Sequence, residues 1–322
     1  MHTKEDAKKK MKHNLKLTLI LISMFIITQF IGLGMIHIYN SSQEVEVLNQ
    51  TTGQLENITI TPQIPYGLQP PEIEAASALW SISISMVIAI LLVLLLMTIK
   101  ANLFLRLWFF VVATIAIAIS INGIFIITKL PLQYQAIIAL IIALPLAFFK
   151  VFKQNLIIHN LTELIIYPGI AAILVPIFSI WTVIIFLILI SVYDIYAVWH
   201  AKFMQKMAKF QINELKVFSG FFVPYIRPED RRFLNKKGKG KKIKVSLAIL
   251  GGGDIALPIL AAGVVLLSQG FLAAITVSLF ATLALLYLFL FSKKGKYYPA
   301  MPFITTGIFI GMLVAYLVLP LF

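Results

Sequence analysis

The stretch SVYDIYAVWH, Ser191 to His200, places Asp194 near the end of a long apolar run. An ionised carboxylate inside a bilayer costs on the order of 2.5 kcal/mol or more, so a chain that keeps one there must pair it or use it. The run around Asp194 is long enough to cross a bilayer as a helix.

Of the 322 residues, 60% are hydrophobic and the mean hydropathy is +0.94, which puts the chain among integral membrane proteins. With no cysteine, disulfides, thiol nucleophiles and thiolate metal sites are excluded. A net charge of +14 raises nucleic acid as a partner, but the charges lie between apolar segments, which points to membrane lipids and not nucleic acid. Apolar stretches fall at 17–38, 76–98, 107–128, 131–149, 158–178, 180–201, 245–268, 271–291 and 298–321. Together they predict an all-α polytopic membrane protein with nine transmembrane helices. The first follows a lysine-rich leader, lacks a small-residue cleavage site and is read as an uncleaved anchor.

Lysine and arginine set the orientation. Six lysines precede the first span, Lys100 and Arg106 follow the second, Lys150 and Lys153 follow the fourth, thirteen more lie between 202 and 244, and three follow the eighth. Only Lys129 lies on the other side, whereas Glu44, Glu46, Glu56, Glu72 and Glu74 gather in the 40–75 loop. The N-terminus is therefore expected in the cytoplasm and the C-terminus outside. Three regions follow: 1–201 with spans one to six and the external loop 40–75, a basic cytoplasmic loop 202–244, and 245–322 with spans seven to nine. Within the basic loop, Met204, Met207, Phe210 and Phe218 fall roughly on one helical face, the pattern of a helix lying on a membrane surface.

Among thirteen acidic residues, only Glu163, Asp194 and Asp254 lie within spans. Measured by helical rise from the cytoplasmic lysines that flank them, Asp194 and Asp254 lie roughly 12 and 15 Å from the same face. Two facing carboxylates at one depth share a proton, because both cannot ionise at close range. Such a pair supplies an acid and a base together, the requirement for peptide hydrolysis by an aspartyl dyad, with no metal and no cofactor. Asp254 also sits within LGGGDIALP, Leu250 to Pro258. Three glycines remove side chains just before the acid, and Pro258 interrupts the backbone bonding after it.

Tyr193-Asp194 in span six, Gly251-Gly252-Gly253-Asp254 in span seven and Pro299-Ala300-Met301-Pro302 at span nine resemble the YD, GxGD and PAL motifs of the presenilin and signal peptide peptidase family of intramembrane aspartyl proteases. Met301 stands where the family has leucine. The resemblance covers the nine-span plan and implies that Asp194 and Asp254 are catalytic. It also implies that Tyr193 borders the pocket, that Gly251, Gly252 and Gly253 keep the approach to Asp254 close, and that Pro299 to Met301, with Pro302, shape the site and hold a transmembrane-helix substrate. The cytoplasmic N-terminus resembles the presenilin branch, since signal peptide peptidases run the opposite way, and the compact outer loops resemble a prokaryotic, archaeal homologue in a plasma membrane. Both prolines disfavour helix before them, so Tyr298 to Met301 is expected to be non-helical, offering its carbonyls and the Ala300 and Met301 amides to an unwound substrate.

Other protease chemistries lack their residues: there is no H-E-x-x-H, and the histidines are scattered as His2, His13, His37, His159 and His200. A transporter or channel that uses the buried aspartates remains the alternative, against which stands the absence of an internal repeat. A noncatalytic scaffold would not need both aspartates. Glu163 is expected to snorkel or to pair with a neighbouring helix, and Asn122 to hydrogen-bond between helices.

Overall fold

The computed structural model describes residues 15–41, 43–48, 55–60, 62–68, 75–128, 130–153, 155–200, 210–226, 245–292 and 298–318. Among them, nine helices are long and apolar enough to cross a membrane, as the hydropathy pattern predicts. They are α1 Leu15–Asn40, α2 Ala75–Thr98, α3 Asn102–Ile127, α4 Leu132–Phe148, α5 Leu156–Leu174, α6 Ile180–Trp199, α7 Gly252–Gln269, α8 Phe271–Phe291 and α9 Met301–Val318. Two antiparallel hairpins join them. One pairs β1 Gln43–Leu48 with β2 Leu55–Ile60 in the loop after α1, and the other pairs β3 Gly220–Ile226 with β4 Val245–Gly251 immediately before α7.

The second hairpin corrects the sequence reading of span seven. An apolar run of seven residues has no period that separates a buried strand from a helix, and Val245–Gly251 is strand, with the helix starting only at Gly252. The depth estimated for Asp254 by helical rise therefore does not apply.

Helix α7 is the axis of the bundle, packing against α1, α5, α6, α8 and α9. Lipid offers no hydrophobic drive between helices, so close approach depends on small residues. A Cβ on Gly263 of α7 would lie 2.5 Å from Ile36 Cδ1, one on Gly32 of α1 would lie 2.5 Å from Ile259 Cγ2, and one on Gly307 of α9 would lie 2.6 Å from the Phe280 carbonyl oxygen. Polar pins hold the crossings: Gln29 Nε2 donates to the Ile255 carbonyl at 3.2 Å, Tyr39 donates to the Ile119 carbonyl at 2.7 Å, and Asn122 donates to the Tyr39 hydroxyl at 3.1 Å. Asn122 thus bridges helices as expected. Helix α2 is the exception. Among the described residues it packs mainly on α3 and α6, and it exposes Trp80, Ile84, Val87, Leu91 and Leu95.

The basic loop is described only at 210–226; Met204, Met207 and the lysine tether lie outside the described residues. Its helical turn Gln211–Leu215 stops at Lys216, which has a positive φ of 54°. Phe210 is buried with Leu215 and Val217 against Leu105 and Val151, and Arg106 of α3 donates to the Leu215 carbonyl at 2.8 Å. Phe218 lies beyond the turn and packs on Phe222. The apolar residues from Phe210 onward therefore face the bundle instead of forming one stripe on a membrane surface.

Candidate active site

Asp194 comes from α6, which starts in a capping box between Ser179 and Thr182. It continues the stripe of Val183, Leu187 and Ile190 that faces the core, so its carboxylate is carried inward and is 5% exposed. There it meets the start of α9. The Met301 amide donates to Asp194 Oδ2 at 3.0 Å, with the Ala300 amide beside the same carboxylate. One turn away, Ser191 donates to the Thr305 hydroxyl at 2.9 Å and ties α6 to α9 again.

Asp254 arrives by a different route. Gly251 ends β4 and is the N-cap of α7, so Asp254 is the third residue of the helix and its carboxylate accepts the Gly251 amide. This is half of a capping box, built at a helix end where backbone N–H groups favour negative charge. Four residues on, Pro258 has no N–H, which leaves the Asp254 carbonyl without its usual helical donor. Helices α6 and α7 pack together, and the carboxylates of Asp194 and Asp254 lie within electrostatic reach of each other.

The three glycines do different things. A Cβ at Gly251 would meet Asp254 Oδ2 at 3.2 Å. One at Gly252 would collide with Ser219 Oγ at 2.5 Å and the Tyr167 hydroxyl at 2.7 Å, whereas one at Gly253 meets nothing within 4 Å. Gly252 is thus needed for packing behind the site, and Gly253 leaves the open side beside Asp254. Tyr193 is half-buried and senses the charge of Asp194. Pro299 is buried, while Pro302 faces an apolar cavity of ≈ 560 Å³ between α8 and α9 with Tyr287 and Phe303.

Tyr298 to Ala300 are non-helical, as the prolines predict, but Met301, expected to be non-helical with them, is the first residue of α9, because Pro302 is tolerated in the first turn of a helix, where no backbone donor is needed. The expected pairing of this segment with a substrate is corrected in one respect. The Met301 amide is taken by Asp194, because the unsatisfied N–H groups of a helix start find the nearest carboxylate, and the Ala300 carbonyl accepts from Ile304 N at 3.1 Å.

A polar stripe on α5 escaped the sequence reading. Glu163, 1% exposed, forms an ion pair with Lys150, so the pairing foreseen for Glu163 is found and Lys150 is a buried charge. Lys150 Nζ donates to His159 Nδ1 at 3.3 Å, and His159 Nε2 bonds the Gly220 carbonyl at 2.8 Å. The Tyr167 hydroxyl lies beside Glu163 and hydrogen-bonds Ser219 at 3.2 Å. The spacing of His159, Glu163 and Tyr167, four residues apart in turn, was the available signal.

Comparison with known proteins bears on the fold and the family. The chain matches two solved structures of a presenilin family intramembrane aspartate protease. In the C222 space group it does so with a TM-score of 0.57 and 17% identity over 93% of this chain and 98% of that one. In the P2 space group the TM-score is 0.56 with 17% identity, over 92% and 96%. At that identity the likeness establishes a shared fold. A search of the curated proteins finds no match. Residues 69–320, which carry both aspartates and all three motifs, match the family described as signal-peptide peptidase, presenilin aspartyl protease. The chain therefore belongs to the signal peptide peptidase and presenilin family of intramembrane aspartyl proteases.

Proposed function

We propose that Asp194 and Asp254 are the catalytic pair of this intramembrane aspartyl protease and that they hydrolyse peptide bonds within transmembrane helices. The observation that carries this reading is that two carboxylates on the packed helices α6 and α7, one held by the start of α9 and the other by the start of α7, lie within electrostatic reach of each other beside the open flank of Gly253. The ionised member takes a proton from water as the water attacks the scissile carbonyl, while the protonated member donates to the carbonyl oxygen. Collapse of the tetrahedral intermediate passes a proton to the departing amine and restores the shared-proton pair. Tyr193 borders the pocket, Gly251 and Gly253 admit the substrate backbone, Gly252 acts through packing, and Pro299, Ala300, Met301 and Pro302 keep the α9 amides aimed at Asp194.

A helical substrate must unwind before its carbonyl is reachable, and its freed backbone groups need partners at membrane depth. The outer edge of β4 supplies them. Asn160 takes both backbone groups of Phe222, so these point away from β4. Alternate residues of an antiparallel pair face alike, so Ile249 opposite Phe222, and Leu247 two residues before it, present their N–H and C=O outward from β4. No third strand among the described residues covers that edge. Strand addition there brings the substrate to Gly251 and Asp254.

The lysine distribution supports a cytoplasmic N-terminus, an external C-terminus and residence in the plasma membrane, with 202–244 as a cytoplasmic loop between membrane regions 1–201 and 245–322. The reading is tested with purified protein in liposomes containing a single-span helical peptide. Product masses should locate cuts inside the apolar segment, and a helix-breaking glycine near the cut should raise the rate. Aspartate-dependent ion flux without any cleavage would instead favour a transporter.

A further inference from the structure

Strand β3 has an outer edge of its own, and α5 fills it with side chains. Asn160 Nδ2 donates to the Phe222 carbonyl at 2.8 Å and its Oδ1 accepts the Phe222 N–H at 3.0 Å, the two bonds a neighbouring strand would make. Two residues earlier, His159 Nε2 bonds the Gly220 carbonyl at 2.8 Å. Pro224, two residues later on the same outward register, has no N–H to satisfy. His159 is in turn fixed through its other ring nitrogen by Lys150, whose charge is balanced by Glu163. With Lys150 donating to Nδ1, the ring carries its proton on Nε2, the form that donates to Gly220.

We infer that His159 and Asn160 are positioning residues: they clamp β3 as a substitute strand, fix the register of the hairpin against Asp254, and leave the β4 edge of this hairpin to dock the unwound substrate. Two features of the molecule set this apart from ordinary helix packing. Asn160 meets both the donor and the acceptor of one residue, which side-chain packing does not require, and the buried Lys150–Glu163 pair is a costly device unless it serves to orient something. The hairpin also connects directly to the chemistry, since Gly220 pairs with Gly251 and Gly252 N donates to the Ser219 carbonyl at 3.1 Å. A hairpin that slides or tilts on α5 presents a different substrate bond to the aspartates, because each residue of register shifts an extended chain by about 3.3 Å.

This inference rests on Asp194 and Asp254 as the catalytic pair, and the test separates the two. KM, kcat and product masses are measured for a single-span peptide with the parent, Asn160→Leu, His159→Leu, His159→Gln and Asp254→Asn, each with its thermal midpoint in detergent. Loss of the two Asn160 bonds is expected to raise KM about tenfold, as two net hydrogen bonds of ordinary strength allow, and to spread a dominant cut over neighbouring peptide bonds. His159→Leu should do the same, while His159→Gln, which keeps a donor for Gly220, should return towards the parent pattern. Asn160→Leu and His159→Leu with the parent KM and cut pattern would overturn the clamp, whether or not the thermal midpoint falls. Retained cleavage by Asp254→Asn would overturn the catalytic assignment and the clamp with it.

Discussion

At the scale of single residues, the site depends on where a side chain is absent as much as on the two acids. Gly252 and Gly253 are neighbours of the same type with opposite surroundings: one backs onto Ser219 and Tyr167, the other onto open space. Gly252→Ala should cost about 1–3 kcal/mol by overpacking and should lower cleavage together with the thermal midpoint. Gly253→Ala should leave the midpoint unchanged or slightly raised, because alanine is the better helix former, yet still lower cleavage by narrowing the substrate's approach. Equal thermal effects from the two would contradict this division. The Lys150–Glu163 pair makes a second test. Removing only the carboxylate in Glu163→Leu strands a buried cation and should cost about 3–5 kcal/mol, whereas Lys150→Met with Glu163→Leu should recover most of it, since apolar replacement of a whole buried pair is often tolerated. Thermal unfolding in detergent separates them, and a double variant no more stable than the single would contradict the pairing.

At the scale of elements, the candidate site is assembled around helix beginnings. Both α7 and α9 start at the site, so each gives backbone N–H groups to a carboxylate. Extending α9 backwards by a turn would redirect the Met301 amide to a carbonyl four residues earlier. Pro299→Ala with Pro302→Ala permits that extension, and kcat should fall at least about tenfold, the scale of one lost hydrogen bond to a charged group, with Asp194 and Asp254 intact. The β4 edge has its own test. Ile249→Pro removes an N–H that points outward and takes no part in the β3–β4 ladder, so the hairpin should survive while cleavage falls through KM; cleavage at the parent rate would exclude docking at that residue. These junctions also mark where the sequence was legible. The prolines announced the break at Tyr298–Ala300, and the glycines announced a weak point before Asp254. Val245–Gly251, by contrast, reads as a mostly apolar run and conceals a strand, because pairing with β3 decides its form and that partner lies across a long loop.

At the scale of the whole molecule, hydropathy sufficed for nine spans because backbone groups in lipid must be satisfied within a helix or a closed sheet, which leaves few alternatives. The order of packing around α7 was not legible, since it depends on which small residues meet, as Gly263 meets Ile36 and Val175. Nor was the link from α5 to the hairpin, where contacts such as Asn160 to Phe222 join residues far apart in the chain. The orientation across the bilayer is checked in this cysteine-free chain by single cysteines at the exposed positions Gln63 and Lys153. An impermeant thiol reagent should label Gln63→Cys in intact cells and reach Lys153→Cys only after lysis; the reverse pattern would invert the protein. The central claim, that two aspartates from α6 and α7 act as one catalytic unit, is tested most directly by the turnover of a single-span helical peptide by purified Asp194→Asn and Asp254→Asn. Each variant should keep the parent's thermal midpoint within a few degrees and yield no product, and cleavage at a rate near the parent's by either folded variant would contradict the account.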